Sequence, residues 1–336
     1  MAESTDLPAI AWLRRGWGRL RPGPAPAAAP STPLPRIAVV TDSSAGLPDA
    51  WAAEFVRAEC FADVVLPVMV GQDIFTEGED VGTALSLALA AGAQVRTSRP
   101  SPGQFERVYR GFEQAGFEGI ASLHLSGKLS GTVDAARLAA GRVGIPVEVV
   151  DSQTAGMALG FAVRAAVRAA ARGGGLAEVR RAGEERLAGS EVLFYVPSLE
   201  QLRRGGRIGA AASLVGTVLS IKLILTIRDG LIVPLERIRT AAKAVPRLRE
   251  LAVARASAAL DPSIAVHYFG NRGEAEAFAA SLASDLGVPA ADVALSPLPA
   301  VLAAHTGLGV LAVVISPGAD PRPHPLAVPL PVDARD

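Results

Sequence analysis

The chain of 336 residues contains a single cysteine, Cys60. One thiol cannot form a disulfide within the chain, and it cannot supply a cluster of thiolate ligands. The four histidines include no His-Glu-x-x-His pair, so no metal site is indicated. We therefore expect a protein without a disulfide framework, metal or other cofactor. This cysteine usage is typical of the reducing cytoplasm, which is the predicted location.

The sequence also has no excess of charge of either sign. Its 33 Lys and Arg residues balance 33 Asp and Glu residues, which gives a formal net charge of zero. A nucleic-acid-binding domain normally carries excess positive charge to neutralise phosphates, so we expect no nucleic-acid partner. Hydrophobic residues make up 50% of the chain, but no run approaches the ~20 apolar residues that span a bilayer. We expect a soluble protein without a transmembrane segment.

Proline marks the two ends of the predicted folded region. Seven of the 25 prolines lie in residues 1–35 and six lie in residues 317–336. This distribution predicts a disordered leader over residues 1–35 and a Pro-rich tail over residues 318–336. The leader also contains Trp12, Arg14 and Trp17, which would suit a transient contact with a membrane surface. A disordered leader without that role is the alternative.

Short apolar runs alternate with longer helical stretches between these ends. This alternation predicts βαβ units around a mostly parallel sheet. At this length we expect two α/β domains, over residues 36–160 and 161–317. The predicted strands are 36–40, 64–70, 119–125, 146–150, 192–196, 231–237, 263–269, 293–295 and 310–315. The predicted helices include 47–57, 81–91, 102–114, 131–140, 156–172, 176–187, 240–260 and 273–286.

Small hydroxylic residues follow most of the early predicted strands. In open α/β sheets ligands bind outside the carboxyl ends of the strands, so these turns are the place to look for a site. Such a crevice would offer many hydrogen-bond donors and little charge. The alternative for each residue is that it only caps the next helix. The turns are 41–44, 126–132, 151–152 and 197–198, and residues 97–101 add three hydroxyls before a helix that Ser101 or Pro102 would start.

Two later segments could contribute residues that hold an anion in the candidate site. Arg207 follows paired glycines in the segment 202–209, and its guanidinium could hold a carboxylate or phosphate in two-point contact. His305 precedes a Gly-rich turn and could donate to an anion. The alternatives are an exposed arginine on a turn and a histidine with a structural role.

Familiar catalytic signatures are missing from the sequence. Residues 127–132 lack the spacing of a nucleotide phosphate loop, and no Gly-x-Gly-x-x-Gly follows the first strand. No Gly-x-Ser-x-Gly elbow occurs, which argues against a hydrolase built from Ser130, His305 and an aspartate. Binding is therefore favoured over turnover. A serine-dependent lipid hydrolase, a small-molecule transferase and a regulatory interaction module remain as alternatives.

An apolar segment follows residues 202–209, which we call the arginine turn. Residues 214–227 read LVGTVLSIKLILTI, and beside an anion-holding crevice they would suit an amphiphile with a carboxylate head and a long tail. Burial of ~15 methylenes at ~0.8 kcal/mol each contributes roughly 12 kcal/mol before ordering costs. The alternative is an ordinary core helix that runs into a strand.

Seven motifs in order resemble those of the DegV family of fatty-acid-binding proteins, which includes the carrier subunits of bacterial fatty acid kinases. They span residue 36 to about 317, roughly 280 of the 336 positions. The sequence departs from the family pattern at Leu308 and Leu223, where proline is common. The motifs are Thr41-Asp-Ser-Ser-x-x-Leu-Pro48, Thr97-Ser-x-Pro-Ser101, Leu125-Ser-x-x-Leu-Ser-Gly-Thr132, Val150-Asp-Ser152, Leu202-x-x-Gly-Gly-Arg-Ile208, Arg239-Thr240 and His305-x-Gly-x-Gly309.

The resemblance implies a two-domain α/β fold that encloses one long-chain fatty acid, such as palmitate, between its domains. It implies that Thr97 and Ser130 hold the carboxylate, and it alone selects Ser130 over Ser126. Arg207 and His305 correspond to family residues near the head. It further implies a non-catalytic carrier that presents the acid to a separate fatty acid kinase for acyl phosphate formation. The remaining candidate binding residues are Ser98, Ser126, Gly131 and Thr132.

Overall fold

The computed structural model describes residues 36–75, 79–209 and 222–318. The predicted leader, residues 319–336 of the predicted tail and residues 214–221 of the apolar segment lie outside the described residues. The strands are β1 (Ile37–Asp42), β2 (Phe61–Val64), β3 (Val68–Val70), β4 (Asp73–Phe75), β5 (Val95–Thr97), β6 (Gly119–His124), β7 (Val147–Asp151), β8 (Glu191–Tyr195), β9 (Lys222–Arg228), β10 (Leu231–Ile238), β11 (Ser263–Phe269), β12 (Val293–Pro297) and β13 (Val310–Ser316). The helices are α1 (Asp49–Ala58), α2 (Glu79–Ala90), α3 (Pro102–Gln114), α4 (Thr132–Ala140), α5 (Met157–Ala171), α6 (Leu176–Leu187), α7 (Glu200–Arg204), α8 (Ala241–Ala258), α9 (Arg272–Leu286) and α10 (Ala300–Thr306).

The first sheet has four parallel strands in the order β2-β1-β6-β7. Every residue of β1 and β6 is buried, because helices cover both faces of a parallel sheet. Ala38 and Val40 pack with Phe105 and Tyr109 of α3 on one face, while α5 and α6 cover the other. The predicted parallel sheet in the N-terminal part is confirmed.

Within the described residues, the second sheet has six strands in the order β10-β9-β8-β13-β11-β12, and only β11 and β12 run parallel. The other four pairings are antiparallel, which the prediction of repeated βαβ units did not anticipate. Asp229 and Gly230 join β9 to β10 with φ values of 49° and 76°. A two-residue turn with both φ values positive is typical of a tight hairpin, and this hairpin makes the sheet antiparallel there.

A small antiparallel sheet of β4, β3 and β5 completes the strands of the described residues. The sequence predicted one strand over 64–70, but it is broken at Pro67, which has no N–H to donate to a ladder. The carbonyl of Pro67 instead accepts a hydrogen bond from Ser98 N at 3.0 Å. This contact fixes the end of β5 and the position of Thr97.

The two faces of the six-stranded sheet pack against different parts of the protein. One face, with Leu193 and Val313, packs against α8 and α9 in a closed core. The other face, with Phe194 and Ala312, belongs to the core shared with the first sheet and α5. The predicted domain boundary at residues 160 and 161 falls within α5, which contacts both β1 and β13. Within the described residues, no helix has the length and hydropathy needed to cross a bilayer.

Candidate functional site

A cavity of about 390 Å³ lies between the carboxyl-end turns of the first sheet and the inner face of the six-stranded sheet. This volume lies within the ~300–1,000 Å³ of small-molecule pockets in proteins. Most of its lining is apolar, and polar side chains gather in the loops after β5 and β6, in the arginine turn and at the end of α10. The apolar lining includes Leu125, Val192, Ile232, Leu298, Val301 and Val310.

One row of side chains across the six-stranded sheet forms part of the cavity wall. Leu225, Phe194, Ala312 and His267 are successive partners in the registers of β9, β8, β13 and β11. Paired residues on neighbouring strands point to the same face. Phe194, Ala312 and His267 all line the cavity. The small side chain of Ala312 leaves space between two large rings.

Thr97 and His305 meet at the polar end of the cavity. Thr97 Oγ1 lies 2.8 Å from His305 Nε2, although the residues are 208 positions apart in the chain. Burial, together with the nearby charge of Arg207, lowers the pKa of His305 to about 4. The imidazole is therefore neutral at neutral pH, with one nitrogen as donor and the other as acceptor.

The paired glycines of the arginine turn make room for this histidine. A Cβ on residue 205 would lie 2.2 Å from His305 Nδ1, so only glycine fits at that position. Gly206 has a φ of 67°, which glycine adopts without steric cost. Gly205 therefore admits the imidazole of His305 to the polar end of the cavity.

Arg207 connects two turns at the same end of the cavity. Its Nε donates to the carbonyl of Leu129 at 3.0 Å, and its Nη1 donates to the carbonyl of Gly205 at 2.6 Å. Within the described residues it forms no ion pair with a carboxylate. No carboxylate of the described residues therefore competes with an anion in the cavity for this positive charge.

Six of the eight residues predicted for the site line the cavity. These six are Thr97, Ser98, Ser130, Gly131, Arg207 and His305. Ser126 and Thr132 are not among the described residues that line the cavity. Both support the turn after β6. The buried Ser126 hydroxyl donates to the carbonyl of Gly230 at 2.8 Å, and Thr132 Oγ1 lies 2.8 Å from Ser130 Oγ.

His267 is a cavity residue that the sequence analysis missed. Its Nε2 accepts a hydrogen bond from Met157 N at 2.9 Å, and its Nδ1 lies 3.1 Å from the carbonyl of Ser296, to which it donates. Burial lowers its pKa to about 4. Because both nitrogens have partners, the neutral ring adds no free charge to the apolar wall. A lone histidine in an apolar strand gives no sequence signal for this position.

The buried residues Asp42, His124 and Ser122 have the residue types of a catalytic triad. His124 Nδ1 lies 3.0 Å from Asp42 Oδ2, and its Nε2 lies 2.7 Å from Ser122 Oγ. All three residues are fully buried, and none belongs to the described lining. Asp42 also accepts from Leu125 N at 3.1 Å. The network therefore stabilises the start of the turn that carries Ser130.

The predicted hydrolase residues are not hydrogen-bonded to one another. Ser130 pairs with Thr132, whereas His305 pairs with Thr97. Among the described residues, no group of His, Cys, Asp or Glu is arranged to hold a metal ion. The arrangement offers hydroxyl donors, a neutral imidazole and guanidinium charge at the end of an apolar cavity. It can hold an anion attached to an apolar tail.

Comparison with known proteins gives consistent matches over the described region. A family description that reads "Uncharacterised protein, DegV family" matches residues 36–318. A DegV domain-containing protein of Streptomyces coelicolor is 45% identical over 282 residues, which cover 83% of this chain and 98% of that protein. One from Mycobacterium tuberculosis is 33% identical over 296 residues, which cover 85% of this chain and 99% of that protein.

Two solved structures share the fold. A fatty-acid-binding DegV family protein from Thermus thermophilus has a TM-score of 0.74 and 34% identity, and the match covers 84% of this chain and 99% of that one. DegV from Bacillus subtilis, a fatty acid binding protein, has a TM-score of 0.74 and 28% identity with the same coverage. The predicted fold class, an α/β fold with a parallel N-terminal sheet and a second α/β part, is confirmed.

The two buried histidines predict how stability depends on pH. Their pKa values are about 4 in the folded chain, below the ordinary 6.5, so the unfolded chain binds more protons between these values. The free energy of unfolding should therefore fall as the pH drops from 6.5 towards 4. In His267→Gln, whose amide oxygen can accept from Met157 N, urea unfolding should show a shallower decline between pH 6.5 and about 5. An unchanged slope would contradict this account.

Proposed function

Because the chain belongs to the DegV family, we propose that it binds one long-chain fatty acid, such as palmitate, in this cavity. The observation that carries the proposal is the apolar lining that ends at hydroxyls, a neutral imidazole and a guanidinium that forms no ion pair within the described residues. The relatives from Thermus thermophilus and Bacillus subtilis, which are fatty-acid-binding proteins, support it. The carboxylate would lie at the polar end, and the tail would lie along the six-stranded sheet.

Thr97 and Ser130 are the proposed donors to the carboxylate. If His305 Nε2 donates to Thr97 Oγ1, the Thr97 hydroxyl proton is free for the ligand. If Thr132 donates to Ser130 Oγ, the Ser130 proton is free in the same way. Each hydroxyl then accepts one hydrogen bond from the protein and donates one to the anion.

The other predicted residues have supporting roles in this proposal. Arg207 supplies positive charge beside the head, and Ser98 and Gly131 line the same end of the cavity. Ser126 fixes the turn against the β9–β10 hairpin through its bond to Gly230. Such a site needs no metal or other cofactor, because binding requires only donors and apolar surface.

We propose a carrier that presents the fatty acid to a separate fatty acid kinase, which forms the acyl phosphate. Of the described lining residues, only Ser98 and Arg99 are exposed, and both adjoin the polar end. The carboxylate would therefore be the part of the ligand nearest to solvent and to a partner's active site. The separate partners of Ser130 and His305 support a carrier over a serine-dependent hydrolase. A cytoplasmic location is part of this proposal.

Removal of both hydroxyls should weaken the binding of a long-chain fatty acid. In the Thr97→Ala, Ser130→Ala double variant a buried carboxylate would lose two donors, which should cost about 3 kcal/mol, roughly a hundredfold in Kd. Titration calorimetry with palmitate measures the change. The matched control is Thr83→Ala with Ser284→Ala, because both hydroxyls are exposed on helices away from the cavity. Equal affinity of the double variant and the wild type would contradict the assignment.

A larger side chain at Ala312 should restrict the length of the tail. Ala312→Leu would fill the space between Phe194 and His267, so each displaced methylene should lose ~0.8 kcal/mol. We expect a much larger loss of affinity for a 16-carbon acid than for a ten-carbon acid, measured by competition with a fluorescent fatty acid. Ala254→Leu on the exposed face of α8 is the control, and Ala312→Val is the milder change if Leu prevents folding. Equal losses for both lengths would contradict this path for the tail.

A further inference from the structure

Arg99 is a second guanidinium at the polar end of the cavity. It occupies the variable position of the Thr97-Ser-x-Pro-Ser101 motif, so the resemblance assigns it no role. It lines the cavity, and only Arg99 and its neighbour Ser98 are exposed among the described lining residues. Its side chain therefore lies at the opening, beside the proposed carboxylate position.

The side chain of Arg99 packs over Gly131. A Cβ on residue 131 would lie 2.6 Å from Arg99 Nη1 and 2.9 Å from its Cδ. Gly131 has φ −75° and ψ 17°, a conformation open to ordinary residues. The backbone therefore does not require glycine here, but a Cβ at this position would displace the Arg99 side chain from the place it now occupies. Because Gly131 directly follows Ser130, this packing holds the guanidinium beside a proposed carboxylate donor.

The backbone of Arg99 is held on both sides. Ser98 N donates to the carbonyl of Pro67 at 3.0 Å. Pro100 restricts the residue before it to extended conformations. Helix α3 then begins at Pro102, and Ser101 N donates to the side chain of Gln104 at 2.8 Å. The side chain of Arg99 thus projects from a constrained backbone, which lowers the entropic cost of placing its charge.

In the part of the chain that the structure describes, no carboxylate neutralises the charge of Arg99. Within the described residues neither Arg99 nor Arg207 forms an ion pair, whereas Arg203 and Arg204 in the arginine turn both pair with Glu200. Two guanidinia with no carboxylate partner among the described residues therefore lie at the end of the cavity that holds Ser130. An anion placed there would be their counter-ion.

We propose that Arg99, held over Gly131, is a second cationic residue for the ligand head, which attracts and retains the ionised carboxylate at the cavity opening. The inference rests on the proposed binding of a fatty acid. It adds a preference: the site selects the charged acid over a neutral amphiphile with the same tail. Because Arg99 is exposed, its contribution should be screened by salt.

The test compares palmitic acid with hexadecanol, which has the same tail and no charge. In Arg99→Gln the affinity for palmitate should fall about threefold to tenfold, while the affinity for hexadecanol stays the same. The salt dependence of palmitate association should also weaken. Arg96→Gln is the matched control, because Arg96 lies on β5 next to Thr97, is exposed and is outside the described lining.

The Gly131→Ala variant tests the packing that places Arg99. The added methyl should displace the guanidinium and reproduce the loss for palmitate, and it should cause no further loss in the Arg99→Gln background. If the wild type binds palmitate but Arg99→Gln keeps the same ratio of acid to alcohol affinity, the inference is overturned. If the wild type binds neither compound, the proposed function fails instead.

Discussion

The hydrogen bond between Thr97 and His305 is the contact on which the polar end of the cavity depends. It joins the small sheet to α10, and its imidazole is neutral, because burial and the charge of Arg207 oppose protonation. A neutral ring can pair with a hydroxyl and needs no carboxylate partner. As a result the described lining contains hydroxyls, neutral rings and guanidinia but no acidic side chain. An anionic ligand would supply the negative charge that is missing from the described lining.

Elements with a strong local pattern could be predicted from the sequence. Helices α3 and α6 and strand β11 have the predicted bounds, because their hydrophobic periodicity agrees with the burial that the fold imposes on them. The hairpin of β9 and β10 was missed, although the pair Asp229 and Gly230 is a recognised turn signal. The order of strands in the second sheet depends on pairings between distant segments, which no local pattern specifies.

Some residues of the site could be identified from short sequence motifs, whereas others are placed there only by pairings between distant strands. Arg207 and His305 could be selected because each lies beside glycines in a short motif. Thr97 and Ser130 lie in turns rich in hydroxyl groups, but the family resemblance was needed to select Ser130 over Ser126. The structure brings all four residues to one cavity. His267 and Ala312 could not, because their place in the wall follows from the register of β8, β13 and β11. The pairing of Gly205 with His305 likewise becomes visible only in three dimensions.

Mass spectrometry of lipid extracted from the freshly purified protein tests the central claim most directly. The account predicts a saturated or monounsaturated long-chain fatty acid at close to one equivalent per chain. An extract without such an acid, from protein that also fails to take one up when it is offered, would contradict the account.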